Sequence, residues 1–197
     1  MELLLVRHGE STWNVAGRMQ GQTASPVLTD RGRRQAGDVG ARLLALGAAR
    51  LLTSDLVRAR QTAAIIGRTL RLEPETDPLL RERHYGTWQG RNSAEAIRAT
   101  RSLLDHERVP GGESLVDVRQ RWATLVTALG DIPEPVVLVT HGNVIVEAAG
   151  GPIPENGSVT RLLLDIWTHT LTPVDRSSDA SPFLSHSARD GERGGVT

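Results

Sequence analysis

Two apolar runs in this chain end in the same dipeptide, and that repetition restricts the fold more than any other feature. Residues 2–6 lead into Val6-Arg7-His8-Gly9, and residues 135–140 lead into Val139-Thr140-His141-Gly142. Short, almost wholly apolar runs suit strands buried on both faces of a parallel sheet. In open sheets flanked by helices, ligands sit outside the carboxyl ends of the strands. If the two strands are neighbours, both imidazoles arrive at one place. The glycine after each histidine, Gly9 and Gly142, lets backbone approach a ligand closely and offers N–H donors. His84, His106, His169 and His186 have no comparable setting.

Between these strands the chain alternates helical and extended patterns. Polar, glycine-rich residues 9–25 read as a long loop. Thr29 or Asp30 caps a helix reaching about Leu46, which Gly47 ends. Residues 50–54 read as a second strand. Ser54 or Asp55 then caps a helix whose apolar positions include Ala59, Ala63, Ile66 and Leu70. Residues 74–90 read as loop and extended chain, followed by a helix over about 93–105 and the turn Pro110-Gly111-Gly112. Ser114 and Asp117 form a capping-box pattern opening a helix to about Leu129. A short helix begins at Gly142, and residues 159–166 and 167–171 read as a closing pair of strands. The alternation predicts an α/β sandwich around a mainly parallel sheet, spanning residues 1–174. Residues 175–197, rich in Ser, Asp, Gly and Arg, read as a disordered tail.

Composition narrows the chemistry. With 197 residues a single domain is expected, and 23 basic against 23 acidic residues leave no net field to draw in nucleic acid. There is no cysteine, which removes thiolate nucleophiles, thiolate metal sites and disulfides. Every basic residue is arginine, so a phosphate site must use guanidinium forks, and no lysine is available for a Schiff base. Residues 3–6 are too few for a signal-peptide core or a membrane span, so a cytoplasmic, soluble protein without a membrane partner is expected, as monomer or homodimer. Neither His-Glu-x-x-His spacing nor a Walker-type glycine loop is present, and the reading calls for no metal and no cofactor.

A neutral imidazole nitrogen is a good nucleophile towards phosphorus when the other ring nitrogen donates its proton to a fixed acceptor. The phosphoryl group in transfer needs positioned cations around its equatorial oxygens. Arg7 adjoins His8. Arg58 begins the helix after the second strand and can reach the same sheet edge, whereas Arg60 reads as a solvent-facing charge. Two guanidinium groups and a protonated His141 would balance a phosphomonoester dianion. Glu82, in Leu80-Arg81-Glu82-Arg83-His84-Tyr85-Gly86, is the candidate proton donor to the leaving oxygen. Glu10 competes for that role but follows the nucleophile too closely for an in-line approach.

These residues together resemble the histidine phosphatase superfamily, also called the phosphoglycerate mutase-like family, over residues 2–173. The resemblance implies a three-layer α/β/α sandwich, a phosphorylated His8, a phosphate pocket of Arg7, Arg58 and His141, and Glu82 as the acid. It places Asn14 near the phosphate and Gln20-Gly21 on a substrate-contacting loop. Glu82-Arg83-His84-Tyr85-Gly86 and Asn143 are similar to the cofactor-dependent phosphoglycerate mutases, in which the arginine after the acid contacts a substrate carboxylate; Arg83 therefore hints at a second anionic group on the substrate. The longer insertion and lysine of those mutases are missing, and only about twenty residues separate Gly90 from Pro110. A mutase must keep its bisphosphorylated intermediate from water, so the short lid favours hydrolysis. About thirteen residues lie between Gly142 and Asn156, so the helix after His141 is short.

The expected activity is that of a metal-independent phosphatase acting on small phosphomonoesters, sugar phosphates or phosphoglycerate-type metabolites. A phosphoglycerate mutase is the alternative enzyme. A weakly active binding or scaffold member, suggested by the shortened segment, is the alternative of another class.

Overall fold

The computed structural model describes residues 1–130, 135–165 and 167–174; the expected disordered tail at 175–197 lies outside them. Six strands, β1 (Glu2–Arg7), β2 (Arg50–Thr53), β3 (Glu75–Thr76), β4 (Val136–Thr140), β5 (Val159–Asp165) and β6 (Thr170–Pro173), form one sheet in the order β3-β2-β4-β1-β5-β6. The β3-β2-β4-β1 part is parallel, and β5 and β6 add antiparallel strands beyond β1. The two His-Gly strands are indeed neighbours. Arg7 pairs with Thr140, which puts His8 and His141 one step beyond the same rung, and the His8 N–H donates to the Thr140 carbonyl at 3.0 Å.

Side-chain alternation along these strands builds the layers. Leu3, Leu5, Val136 and Leu138 face one cluster with Trp122 and Leu125 of α5 (Leu115–Leu129) and Val144 and Ile145 of α6 (Gly142–Ala149). Leu4, Val6, Val137 and Val139 face the other, against α2 (Asp30–Leu44) and α3 (Val57–Leu70) through Val39, Leu43, Ala63 and Ile66. The fold is thus the expected α/β/α sandwich. β1 and β4 are the strands buried on both sides, with Leu3, Leu4, Leu5 and Val6 each 0% exposed.

Thr29 caps α2 by accepting from the Gly32 N–H, and Ser114 and Asp117 close the capping box of α5. Five local expectations need correction. The closing strand expected over 167–171 is β6 at Thr170–Pro173, because 167–169 form a turn around Asp165 Oδ1, which accepts from the Trp167 and Thr168 N–H groups at 2.9 and 3.1 Å. The polar loop contains a further helix, α1 (Thr12–Val15), opened by a Ser11–Asn14 capping box. The N-cap of α3 is Leu56, because Ser54 Oγ accepts from the Leu56 N–H while Asp55 forms a two-point ion pair with Arg81. Helix α2 ends at Leu44, ahead of Gly47, and α4 (Ser93–Thr100) stops short of Asp105. None of these changes alters the topology.

Candidate active site

The carboxyl edge of β1 and β4 opens into a cavity of about 200 Å³ lined by Arg7, His8, Asn14, Gln20, Arg58 and Glu82, among others. His8 is almost wholly buried at its base. Its Nδ1 lies 2.8 Å from the Gly9 carbonyl, which can only accept, so Nδ1 carries the proton. The Nε2 lone pair is left for the cavity, where the Arg58 Nε–H donates to it at 3.3 Å. Burial, then the charge of Arg58, holds the His8 imidazole well below its ordinary pKa, in the neutral form a nucleophile requires.

His141 stands beside it, ring centroids 5.1 Å apart. The side chain is fully buried, and neither ring nitrogen has a hydrogen-bond partner among the described residues. Buried polar atoms are rarely left unpaired, and this pair lies next to His8 and Gly142, which line the cavity. Burial, then the charge of Arg58, pushes the His141 pKa well below its ordinary value as well, which opposes the positive charge expected on it beside a phosphate. Arg7 donates from one terminal nitrogen to the Pro154 carbonyl, and its Nε is likewise buried without a partner. Arg58 is fully buried on α3; its terminal nitrogens donate to the carbonyls of Thr23 and Gly21 at 3.1 and 2.7 Å. Burial lowers its pKa to about 10, which leaves it charged at neutral pH.

Glu82 sits across the cavity at the N-terminus of α6. Its Oε1 accepts from the Arg83 N–H at 2.9 Å and the Asn143 N–H at 3.2 Å, two backbone donors that fix the carboxylate. Gly142 matters here for its lack of a side chain: a Cβ would lie 2.8 Å from Ile153 and 3.8 Å from both Arg7 and Glu82. Glu10, the competing acid, is turned away, bonded to Thr29 and Arg31.

The loop residues fall into place through Ser11, which sequence reasoning missed. The Ser11 N–H donates to Asn14 Oδ1, and the Ser11 hydroxyl lies 2.9 Å from Asn14 Oδ1 and 2.8 Å from Gln20 Oε1. Both amide oxygens are held, so both NH2 groups remain for an anion in the cavity they line. Gly21 contributes its carbonyl to Arg58 and lies so close to Gln89 that a Cβ would meet Oε1 at 2.2 Å. The expected substrate-binding Arg83 is not brought to the cavity wall. It is buried over the Tyr85 ring at 5.4 Å, with Nε donating to the Glu113 carbonyl at 3.0 Å. The cavity instead gains Arg18, Tyr85 and Asn143. The Ser-x-x-Asn capping spacing was the available signal for Ser11, and proximity to Asn14 and Gln20 that for Arg18.

Fold and site together define an α/β protein with a pocket of two histidines and two arginines at the carboxyl edge of its sheet. The chain belongs to the histidine phosphatase superfamily (branch 1), whose family model matches residues 3–149. It is 41% identical over 153 residues to the probable phosphoglycerate mutase GpmB of Proteus mirabilis, covering 72% of this chain and 70% of that one. The corresponding protein of Erwinia tasmaniensis is 38% identical over 151 residues, with the same coverage. Among solved structures, the mycobacterial glucosyl-3-phosphoglycerate phosphatase in complex with VO3 superposes with a TM-score of 0.75 at 32% identity, covering 88% of this chain and 96% of that chain.

Proposed function

We propose that this protein is a phosphatase that hydrolyses small phosphomonoesters through a phosphohistidine at His8. The observation that carries the reading is the His8 tautomer: Nδ1–H committed to the Gly9 carbonyl, Nε2 presented beside Arg58. In the first step the Nε2 lone pair forms a bond to phosphorus as the bond to the leaving oxygen breaks, and the Glu82 carboxyl gives that oxygen a proton. In the second, the Glu82 carboxylate takes a proton from water as the water oxygen bonds to phosphorus and the P–N bond breaks. Arg7, Arg58 and the amide groups of Asn14 and Gln20 meet the charge spread over the equatorial oxygens. These cations supply the charge stabilisation for which many phosphatases use metal ions, which supports a metal-independent reaction.

The similar mutases supply a second reading. Against it, residues 91–109 carry only the eight-residue α4, a small cover for an intermediate that must be kept from water. Phosphate release measured with divalent metal chelated tests the proposal: His8→Ala should lose at least a thousandfold, and wild-type enzyme should carry a phosphoryl group labile in acid and stable in base. Wild-type-like turnover by His8→Ala would sink it. With 3-phosphoglycerate as substrate, isomer formed faster than free phosphate would favour the mutase.

A further inference from the structure

The phosphate end of the cavity accounts for Arg7 and Arg58, and one more cation remains. Arg18 lines the same cavity from the loop between α1 and α2. Its backbone is anchored rather than free. The Arg18 N–H donates to the Trp13 carbonyl at 2.9 Å, and Arg18 bridges antiparallel to Asn92. On either side, the Ser93 N–H donates to the Gly17 carbonyl and the Met19 N–H to the Arg91 carbonyl, both at 2.8 Å. The guanidinium lies 5.8 Å from the Trp13 ring centroid and has no carboxylate partner among the described residues. By contrast Arg31, Arg50, Arg81, Arg108 and Arg119 each pair with an acid.

The wall that Arg18 shares is mixed, with Asn14, Gln20, Tyr85, Ser93 and Asn143 among its polar residues and fewer apolar ones. Trp13, Met19, Ile97 and Ile153 line it, and the two isoleucines are each 51% exposed at its rim. Arg18 is itself exposed at the mouth, so an anion meeting it there keeps part of its hydration. The cavity is also smaller than the ~300–1,000 Å³ common for drug-sized ligands. What fits is a compact leaving group with a single charge placed to meet a guanidinium.

Building on the phosphatase reading above, we propose that Arg18, held at the cavity mouth by paired backbone on both sides, recognises a second anionic group on the leaving-group side of the phosphoester. The residue that selects such substrates is then Arg18 and not Arg83, whose guanidinium is turned onto Tyr85 and Glu113. The shared chemistry is an anion within a few bonds of the phosphoester, either a carboxylate or a second phosphate.

The test compares kcat/KM for esters that differ only in that group. 3-Phosphoglycerate bears a carboxylate where glycerol 3-phosphate bears a neutral hydroxymethyl, and glycerol 1,3-bisphosphate bears a second phosphate. Wild-type enzyme should prefer one of the two charged esters over glycerol 3-phosphate by about tenfold or more, the range of a charge-assisted hydrogen bond at a partly solvated site. Arg18→Gln should reduce that ratio to about one, Arg18→Lys should retain part of it, and Arg83→Gln should leave the ratio in place whatever it does to the absolute rates. A wild-type ratio near one, a ratio unmoved by Arg18→Gln, or a ratio abolished by Arg83→Gln alone overturns the assignment of Arg18. Failure of wild-type enzyme to release phosphate from any of the three esters overturns instead the phosphatase reading on which it rests.

Discussion

His8 and His141 are buried imidazoles whose protonation is opposed first by burial and then by Arg58, and this has a measurable consequence for stability. A histidine whose folded pKa lies below its unfolded value of about 6.5 binds a proton in the unfolded chain before it does in the folded one. Stability therefore falls as pH drops below about 6.5, and goes on falling until the folded values are reached. The two groups act in the same direction, so both contribute to the loss as pH falls from about 7.5 to about 5.5. Urea unfolding at the two pH values checks the direction, and NMR of the imidazole nitrogens assigns it: both rings should protonate at lower pH than a free imidazole does. Titration of both near the ordinary value of about 6.5 would show that burial and Arg58 do not oppose their protonation. Replacing Arg58 by Met should raise both pKa values, since its charge is the second cause of their depression.

At the scale of elements, the four residues of α1 do more for the site than their length suggests. The capping box uses the Ser11 hydroxyl to accept from the Asn14 N–H, while the Ser11 N–H and hydroxyl hold the amide oxygens of Asn14 and Gln20. Ser11→Ala should cost about 1 kcal/mol of stability, as lost N-caps do, and about tenfold in kcat/KM as the two amides lose alignment. Thermal or urea unfolding reads the first and steady-state kinetics the second; a loss of stability with unchanged kcat/KM would leave α1 a purely structural element. This element also shows what was legible in the sequence. Long periodic segments such as α2, α5 and β4 could be read directly, and so could the convergence of His8 and His141, because strand ends carry their ligands to one edge. The short α1 could not, since four residues show no helical period. Leu56 displaced Ser54 and Asp55 as the cap of α3 because Asp55 is drawn to Arg81, a partner 26 residues away that local patterns do not reveal. Arg83 left its expected place at the cavity, and Arg18 came to line it without having been singled out, for the same reason: which way an arginine turns depends on tertiary neighbours such as Tyr85 and Glu113.

For the whole molecule, the shortened connection after His141 raised the question whether the pocket is firmly held. Helix α6 has only eight residues, yet the chain beyond it returns directly to the end of β1. The Pro154 carbonyl accepts from Arg7, the Asn156 amide donates to the His8 carbonyl at 3.0 Å, and the Gly157 N–H donates to the Arg7 carbonyl at 3.1 Å. The support therefore comes from residues 154–158 rather than from a long helix, and it locks the site to β1 and β5. A pocket pre-formed in this way should bind an oxyanion without refolding, so ligand binding should appear as stability of the entire domain. Inorganic phosphate at a hundred times its dissociation constant should add about 2.7 kcal/mol, which for a chain of this size raises the melting temperature by about 5–10 °C. The shift should vanish in Arg7→Gln and Arg58→Gln, each of which removes a buried charge facing the anion. A shift of equal size in those variants would place the phosphate elsewhere on this arginine-rich surface. A missing shift in the wild type would mean that the unpaired nitrogens of Arg7 and His141 are not an anion site, and that the scaffold alternative describes this chain better than catalysis does.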